Sequence, residues 1–168
     1  MALHCREFRP ESDTAFLYDI FSHAKDPEQL GIPFPINSDE MFVQWLIPRL
    51  KNFYHIFYVV VDAHDSAVGV LYSYNYRQAD ASCWVRLYLP NKSYAPEEII
   101  ILDDFTKDLF RQYPLHKIFF EMLASEDLAK QLISVGRPPE CVLKEHSFSE
   151  GNYQDLMIWG VKRNDMEL

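Results

Sequence analysis

The feature that most constrains the fold is a strand–helix–strand sequence between residues 82 and 124. SCWVRLYL and HKIFFEMLA are rich in β-branched and aromatic residues, which is typical of strands. Between them, EEIIILDDFTKDLF repeats apolar residues at helical spacing, with Pro96 where the helix begins and Pro114 beyond its end. Strands joined through a helix of this length lie parallel, because the crossover returns the chain to the same end of the sheet.

The N-terminal part predicts one strand and two amphipathic helices. Leu3–Phe8 has strand character, and Ser12 is suited to cap the first helix. Asn37 or Ser38 is suited to cap the second helix. The intervening Gly31–Pro35 contains two prolines, which favour an extended connector because proline removes a donor and fixes φ.

Strands precede and follow the crossover. Residues 53–62 and 68–76 are strand-like and joined by a short polar turn, which favours an antiparallel meander leading into SCWVRLYL. After the crossover, Ser125 is suited to cap a short helix that Gly136 ends. The tail 141–161 predicts a hairpin that turns near Gly151. We therefore expect a mixed, mostly antiparallel sheet of about six or seven strands, flanked by about four helices.

Composition excludes several classes of protein. A hydrophobic fraction of 48% over 168 residues supports one packed domain and excludes a disordered chain. A net charge of -9 argues against binding nucleic acid or an anionic membrane surface. Cys5, Cys83 and Cys141 form neither a metal pattern nor an even disulfide set, so we expect a cytoplasmic protein without a metal. No stretch has the apolar length of a membrane span.

Three segments resemble the GNAT superfamily of N-acetyltransferases, and in particular its RimJ/RimL-like branch. They are CWVRLYLP, PLHKIFFEMLAS and the tail LKEHSFSEGNYQDLMIWGVKR. The resemblance covers the whole chain and implies a GNAT fold in which the fourth and fifth strands splay apart. It also implies that residues 1–168 form a single acyltransferase domain. Such a domain transfers an acetyl group from acetyl-CoA to a primary amine of a small molecule or peptide, and a homodimer is one form it takes.

The resemblance also implies where acetyl-CoA is held. Backbone groups at the end of the fourth strand would pair with the pantetheine arm and polarise the thioester carbonyl. The loop after that strand would hold the diphosphate at a helix N-terminus. The strand residues with this role are Leu87, Tyr88 and Leu89. The loop residues at the diphosphate position are Ser93, Tyr94 and Ala95.

Two residues are candidates for the chemistry, each with a structural alternative. Glu121, on the fifth strand, matches the face of the acceptor cleft in the family, where it could take the amine proton. A structurally paired strand glutamate is the alternative. Ser125 matches a serine that some members of the branch place near the leaving thiolate, but it also fits a helix cap.

The sequence departs from the family at two places. The diphosphate loop of the family carries glycines, whereas here Pro96 lacks an N–H and Glu97 and Glu98 add negative charge. In the family, a tyrosine late in the next helix often acts as the acid that protonates the thiolate, whereas this chain has Ile133 at that position. Three hypotheses follow: an acyl-CoA-dependent N-acyltransferase, a GNAT fold that binds a partner without acetyl-CoA, or an enzyme that holds its donor in another way.

Bulky apolar residues on the second helix are open to two interpretations. Phe42, Trp45 and Leu46 repeat at helical spacing, as core residues do, but they could also form one wall of a substrate cleft. Tyr72, Tyr74 and Tyr76 alternate along a strand and could either line a pocket or pack in the core.

Overall fold

The computed structural model describes residues 3–23, 36–51, 55–90, 95–149 and 151–167. Its elements are β1 (His4–Glu7), α1 (Pro10–His23), α2 (Asp39–Leu50), β2 (Phe57–Val61), β3 (Ala67–Arg77), β4 (Ser82–Tyr88), α3 (Ala95–Gln112), β5 (Lys117–Leu123), α4 (Asp127–Ser134), β6 (Cys141–Ser149) and β7 (Asn152–Lys162). Their order confirms the predicted arrangement of strands and helices. The predicted connector Gly31–Pro35 lies outside the described residues.

The strands form one seven-stranded sheet in the order β1-β2-β3-β4-β5-β7-β6. The pairs β1–β2, β2–β3, β5–β7 and β6–β7 are antiparallel. The pair β4–β5 is parallel, as the crossover predicts, with Ser82 opposite Lys117 and Val85 opposite Phe120. Pairing between β4 and β5 ends at Val85 and Phe120, although β4 continues to Tyr88 and β5 continues to Leu123.

The chain divides into two compact units, and each has its own core. The first unit contains residues up to Tyr74 together with Arg86–Lys92. Its core joins α1 and α2 to β2 and β3 through closely packed rings. The Phe21 and Trp45 rings lie 4.5 Å apart, and the Phe57 ring stacks on Tyr72. The buried residues of this core are Leu17, Ile20, Phe21, Ile36, Phe42, Trp45, Leu46, Phe57, Val70 and Tyr72.

The second unit contains residues 75–85 and the chain from Ser93 onward. Within it α3 contacts α4, and α4 contacts β5. Buried residues alternate along β5, because successive strand residues point to opposite faces. Arg163 closes the C-terminal end of α3 by donating to the carbonyl oxygens of Phe110, Tyr113 and Leu115. This arginine therefore satisfies carbonyl groups that a helix end leaves unpaired.

Helix starts were predicted with mixed success. Ser38 is the N-cap of α2, as expected. The prediction that Ser12 caps α1 is wrong, because the helix already begins at Pro10. Asp13 takes the capping role instead, since its carboxylate accepts a hydrogen bond of 2.8 Å from the backbone N–H of Arg9. Ser12 lies inside the first turn and donates to the same carboxylate.

Three apolar residues on the helices are exposed. Ile100 is 59% exposed on α3, and Ile133 on α4 and Leu50 on α2 are exposed as well. Each is a direct neighbour of a residue on the buried stripe, and one residue rotates a helix by about 100°. Apolar residues on both sides of the stripe therefore blur its edge in the sequence.

Candidate functional site

The end of β4 lies in the first unit, close against a glycine of β3. Leu87, Tyr88 and Leu89 are half-buried there. A Cβ atom at Gly69 would lie 2.5 Å from the Tyr88 carbonyl oxygen and would collide with the Leu89 side chain. Glycine is therefore required at position 69, because β3 passes very close to the Tyr88 carbonyl oxygen and the Leu89 side chain there.

The start of α3 differs from a glycine-rich anion site. Ser93 and Tyr94 lie outside the described residues, and Ala95 is the first residue of the helix. Pro96 is in the first turn, as predicted, where it supplies no N–H. Glu98 is only 6% exposed, so its carboxylate is not displayed on the surface of this turn as the sequence suggested. Both Glu97 and Glu98 interact with other groups in the structure.

Glu121 lies in the second unit, on a half-exposed face of the sheet. It is opposite Ile158 of β7 and shares its face with Phe119 by strand alternation. Phe119 stacks on Trp84 at 5.1 Å between ring centroids, and the Lys117 ammonium lies 4.7 Å over the Phe119 ring. Glu121 is half-buried and interacts with other groups.

Ser125 is not the cap of α4, so that structural alternative is wrong. The N-cap is Glu126, whose side chain turns back to accept a hydrogen bond of 2.7 Å from the Leu123 N–H. The Glu126 N–H in turn donates to the Leu123 carbonyl at 3.0 Å. Glu126 thus closes the turn after β5, and Ser125 is left exposed at its apex. Within the described residues its hydroxyl has no hydrogen-bond partner.

A group of hydrogen-bond donors in the first unit was missed by the sequence analysis. We call Trp45, Arg49 and His55 the donor cluster. The Arg49 guanidinium lies 4.5 Å over the Trp45 ring and donates to the Trp45 carbonyl oxygen at 2.8 Å. The Trp45 indole N–H is buried without a hydrogen-bond partner. Within the described ranges, no carboxylate forms an ion pair with Arg49.

Electrostatics in the donor cluster disfavour positive charge. Loss of water around Arg49 lowers its pKa, an effect that the nearby Tyr72 hydroxyl partly opposes. Burial is also the main reason that the pKa of His55 is lowered, and the charge of Arg49 lowers it further. A hydrogen bond with the Ser73 backbone acts in the opposite direction. His55 is therefore neutral near pH 7, and Arg49 is the charged group of the cluster.

The sequence contains one weak signal for this cluster. Arg49 follows Trp45 and Leu46 by four and three residues, so it continues the buried stripe of α2 where an apolar residue was expected. The interpretation of Phe42, Trp45 and Leu46 as core residues is consistent with their burial. His55 lies just before β2 and Ser73 lies on β3, and no local pattern links them to Arg49.

A cavity of about 270 Å³ lies in the second unit, away from the predicted residues. Its walls are mainly apolar, and the Arg137 guanidinium at its rim binds Asp103 through two hydrogen bonds of 2.8 Å. Among the described residues, no group of three or more His, Cys, Asp or Glu side chains is arranged to hold a metal ion. No helix in the described ranges is long and apolar enough to span a membrane.

Comparison with known proteins identifies the fold. No protein-family model and no curated protein sequence matches the chain. A structure of spermidine N-acetyltransferase from Vibrio cholerae in complex with CoA and spermine is similar, with a TM-score of 0.75 and 18% identity over 97% of this chain and 96% of that chain. A mutant of the Vibrio cholerae spermidine N-acetyltransferase SpeG has a TM-score of 0.77 and 17% identity over 96% of this chain and 94% of that chain.

These likenesses confirm the predicted fold class. The chain has the GNAT acetyltransferase fold, with a mostly antiparallel sheet, a parallel β4–β5 pair and four α-helices. A protein of this fold binds CoA together with an amine. Sequence identity at this level carries no assignment of activity to this chain, and the RimJ/RimL-like branch stays a prediction.

Proposed function

We propose that the protein is an N-acyltransferase that moves an acetyl group from acetyl-CoA to a primary amine. The observation that carries the proposal is the early end of pairing between β4 and β5 in a GNAT fold. Val85 is the last residue of β4 that pairs with β5, and a strand end of this kind is a place where an extended ligand can add. The whole chain serves as a single acyltransferase domain in the cytoplasm.

The proposed roles follow the chemistry of a thioester. The backbone at Leu87, Tyr88 and Leu89 pairs with the pantetheine arm and donates to the thioester oxygen, on which negative charge develops. The diphosphate contacts the chain at Ser93, Tyr94 and Ala95. The amine nitrogen bonds to the carbonyl carbon as the carbon–sulfur bond breaks. Glu121 accepts the amine proton. The Ser125 hydroxyl, which does not cap α4, donates a hydrogen bond to the leaving thiolate.

The acceptor is a small molecule or a peptide with a primary amine. The similar Vibrio cholerae enzyme binds spermine, which is such an amine. A net charge of -9 favours small-molecule or peptide partners over nucleic acid. A homodimer is the proposed assembly.

Titration calorimetry with acetyl-CoA tests the proposal. We expect micromolar affinity, about -8 kcal/mol, and acetylation of at least one amine in a panel assayed by thiol release. Glu121→Gln is expected to lower kcat by about 10²-fold or more with unchanged acetyl-CoA affinity. Glu140→Gln is the matched control, because Glu140 is an exposed acid of the same unit that pairs with Lys117. Absence of heat at millimolar acetyl-CoA would contradict the proposal.

A binding module without acetyl-CoA is the second candidate, and Pro96 favours it. This proline removes one N–H from the first turn of α3, where an anion would bind. If the missing donor weakens diphosphate binding, Pro96→Ala should tighten acetyl-CoA affinity by about tenfold, as a hydrogen bond to a charged group would. Pro114→Ala, beyond the end of the same helix, should leave affinity unchanged. Equal affinity for Pro96→Ala and the native chain would show that this turn does not limit binding.

A further inference from the structure

The donor cluster contains hydrogen-bond donors without a matching acceptor. Arg49 carries five N–H groups and uses one nitrogen on the Trp45 carbonyl oxygen. The Trp45 indole adds a buried donor without a partner. His55 lies near enough to Arg49 for the guanidinium charge to lower the pKa of His55. In the described part of the chain, the oxygens that accept from Arg49 and His55 belong to the backbone.

This lack of an acceptor anion is unusual in a chain with 25 acidic and 16 basic residues. Half-buried cations are normally paired, because removing a charge from water opposes folding unless an opposite charge replaces the water. Arg6 and Arg137 follow this rule, because they pair with Asp13 and Asp103, whereas Arg163 donates to backbone carbonyl oxygens as Arg49 does. Among the residues that the structure describes, Arg49 has no such partner.

The position of the cluster connects it to the strand proposed to hold acetyl-CoA. Trp45 and Tyr72 belong to the first unit's core, and Tyr88 packs against that core. Tyr88 is one of the three residues whose backbone is proposed to pair with the cofactor. A ligand bound at Arg49 therefore lies on the same packed group of side chains as the proposed acyl donor.

We propose that the donor cluster binds an oxyanion group, carboxylate or phosphate ester, of the amine acceptor. The inference rests on the proposed function, which it deepens by naming the acceptor class as amines that carry a negative group. Arg49 supplies the planar pair of N–H donors that matches an oxyanion, and the Trp45 ring holds that plane in place. The same charge disfavours a polyamine, because like charges repel in a partly desolvated site.

Acceptor pairs that differ only in the anion test the proposal. β-Alanine, γ-aminobutyrate and ε-aminocaproate are each compared with their amides, and O-phosphoethanolamine is compared with ethanolamine. We expect a preference of about 10–100-fold in kcat/KM for the anionic member of at least one pair, which is the range for a charged hydrogen bond. The length of the preferred acid measures the reach from Arg49 to the thioester. A preference within the amino acid or the phosphate pairs distinguishes carboxylate from phosphate.

Arg49→Met keeps the apolar stem over Trp45 and removes the charge. It is expected to equalise the kcat/KM values of the two members of each pair, by lowering the value for the anionic member. Arg9→Met removes an exposed positive charge from the same unit and is expected to leave the preference intact. Equal rates for acids and amides, or a preference for spermidine, would overturn the inference while the proposed function stands.

Binding without turnover separates the inference from the proposed function. The indole N–H signal of Trp45 in a nitrogen–proton NMR spectrum, assigned with Trp45→Phe, is expected to move when γ-aminobutyrate or O-phosphoethanolamine is added without acetyl-CoA. The signals of Trp84 and Trp159 should not move. If no amine is acetylated but this shift depends on Arg49, the acyltransferase proposal fails and the oxyanion site stands. An unmoved Trp45 signal at millimolar probe contradicts the site itself.

Discussion

Arg6 and Arg49 lie in the same unit and have opposite surroundings. Arg6 binds both carboxylate oxygens of Asp13, at 2.6 and 2.9 Å, and Asp13 is only 3% exposed. That carboxylate also accepts from the Arg9 N–H and the Ser12 hydroxyl. Arg49 instead lies over an aromatic ring and donates to a backbone oxygen. Arg6 therefore uses both terminal nitrogens on a buried carboxylate, whereas Arg49 uses one nitrogen on a backbone oxygen.

The difference indicates which arginine stabilises the fold. The Arg6–Asp13 pair joins β1 to the first turn of α1, and every oxygen of the carboxylate is occupied. Such a pair stabilises the folded state, because removal of either member leaves a buried charge without a partner. No carboxylate in the described ranges pairs with Arg49, and a half-buried guanidinium without an anion opposes folding, so Arg49 is better explained by a ligand than by stability.

The largest effect is expected for Asp13→Ala. The substitution leaves Arg6 and the Arg9 N–H without their acceptor in a buried site, which should lower the free energy of unfolding by about 3–5 kcal/mol. Urea denaturation followed by circular dichroism measures the loss. Asp19→Ala on the same helix is the control, because Asp19 is exposed and should change stability by about 0.5 kcal/mol or less. Equal losses for the two variants would show that the pair is not structural.

Lowering the pH is expected to weaken the Arg6–Asp13 pair as well, with a smaller loss of stability than Asp13→Ala causes. The Arg6 hydrogen bond is the main reason that the pKa of Asp13 is lowered from 3.8 to about 2. Because the folded pKa is below the unfolded one, the contribution is complete above about pH 4 and is lost as pH falls through about 2. It amounts to about 2 kcal/mol. Unfolding free energies measured from pH 6 to pH 2 should fall less steeply for Asp13→Asn than for the native chain.

The smallest effect on stability is expected for Arg49→Met. The variant keeps packing over Trp45 and removes a desolvated charge, so the unfolding free energy should stay within about 0.5 kcal/mol of the native value or rise. The same urea titration measures it, beside Arg6→Met as the matched substitution. A loss for Arg49→Met as large as that for Arg6→Met would mean that Arg49 has a structural anion, and the contrast between the two arginines would disappear.

Much of the fold was predictable because its signals are local. The parallel β4–β5 pair follows from the spacing of two strands and a helix, and Gly151 turns the tail hairpin with a φ of 83°. Ser38 was recognised as a cap from its own residue type. The predicted caps at Ser12 and Ser125 were wrong, because α1 already begins at Pro10 and Glu126 is the N-cap of α4. The Asp13 and Glu126 carboxylates instead accept hydrogen bonds from the Arg9 and Leu123 N–H groups, which precede these helices.

The candidate site also has features that local sequence predicts and features that depend on residues distant in sequence. Residue order predicted the strands and helices, because their periods depend on neighbours in the chain. The resemblance to the GNAT superfamily pointed to Glu121 and Ser125. Only the tertiary structure decided that Glu98 is buried and that Arg49 and His55 meet beside Trp45. Burial and charge pairing depend on residues that are distant in sequence, so no local pattern predicts whether an arginine forms an ion pair.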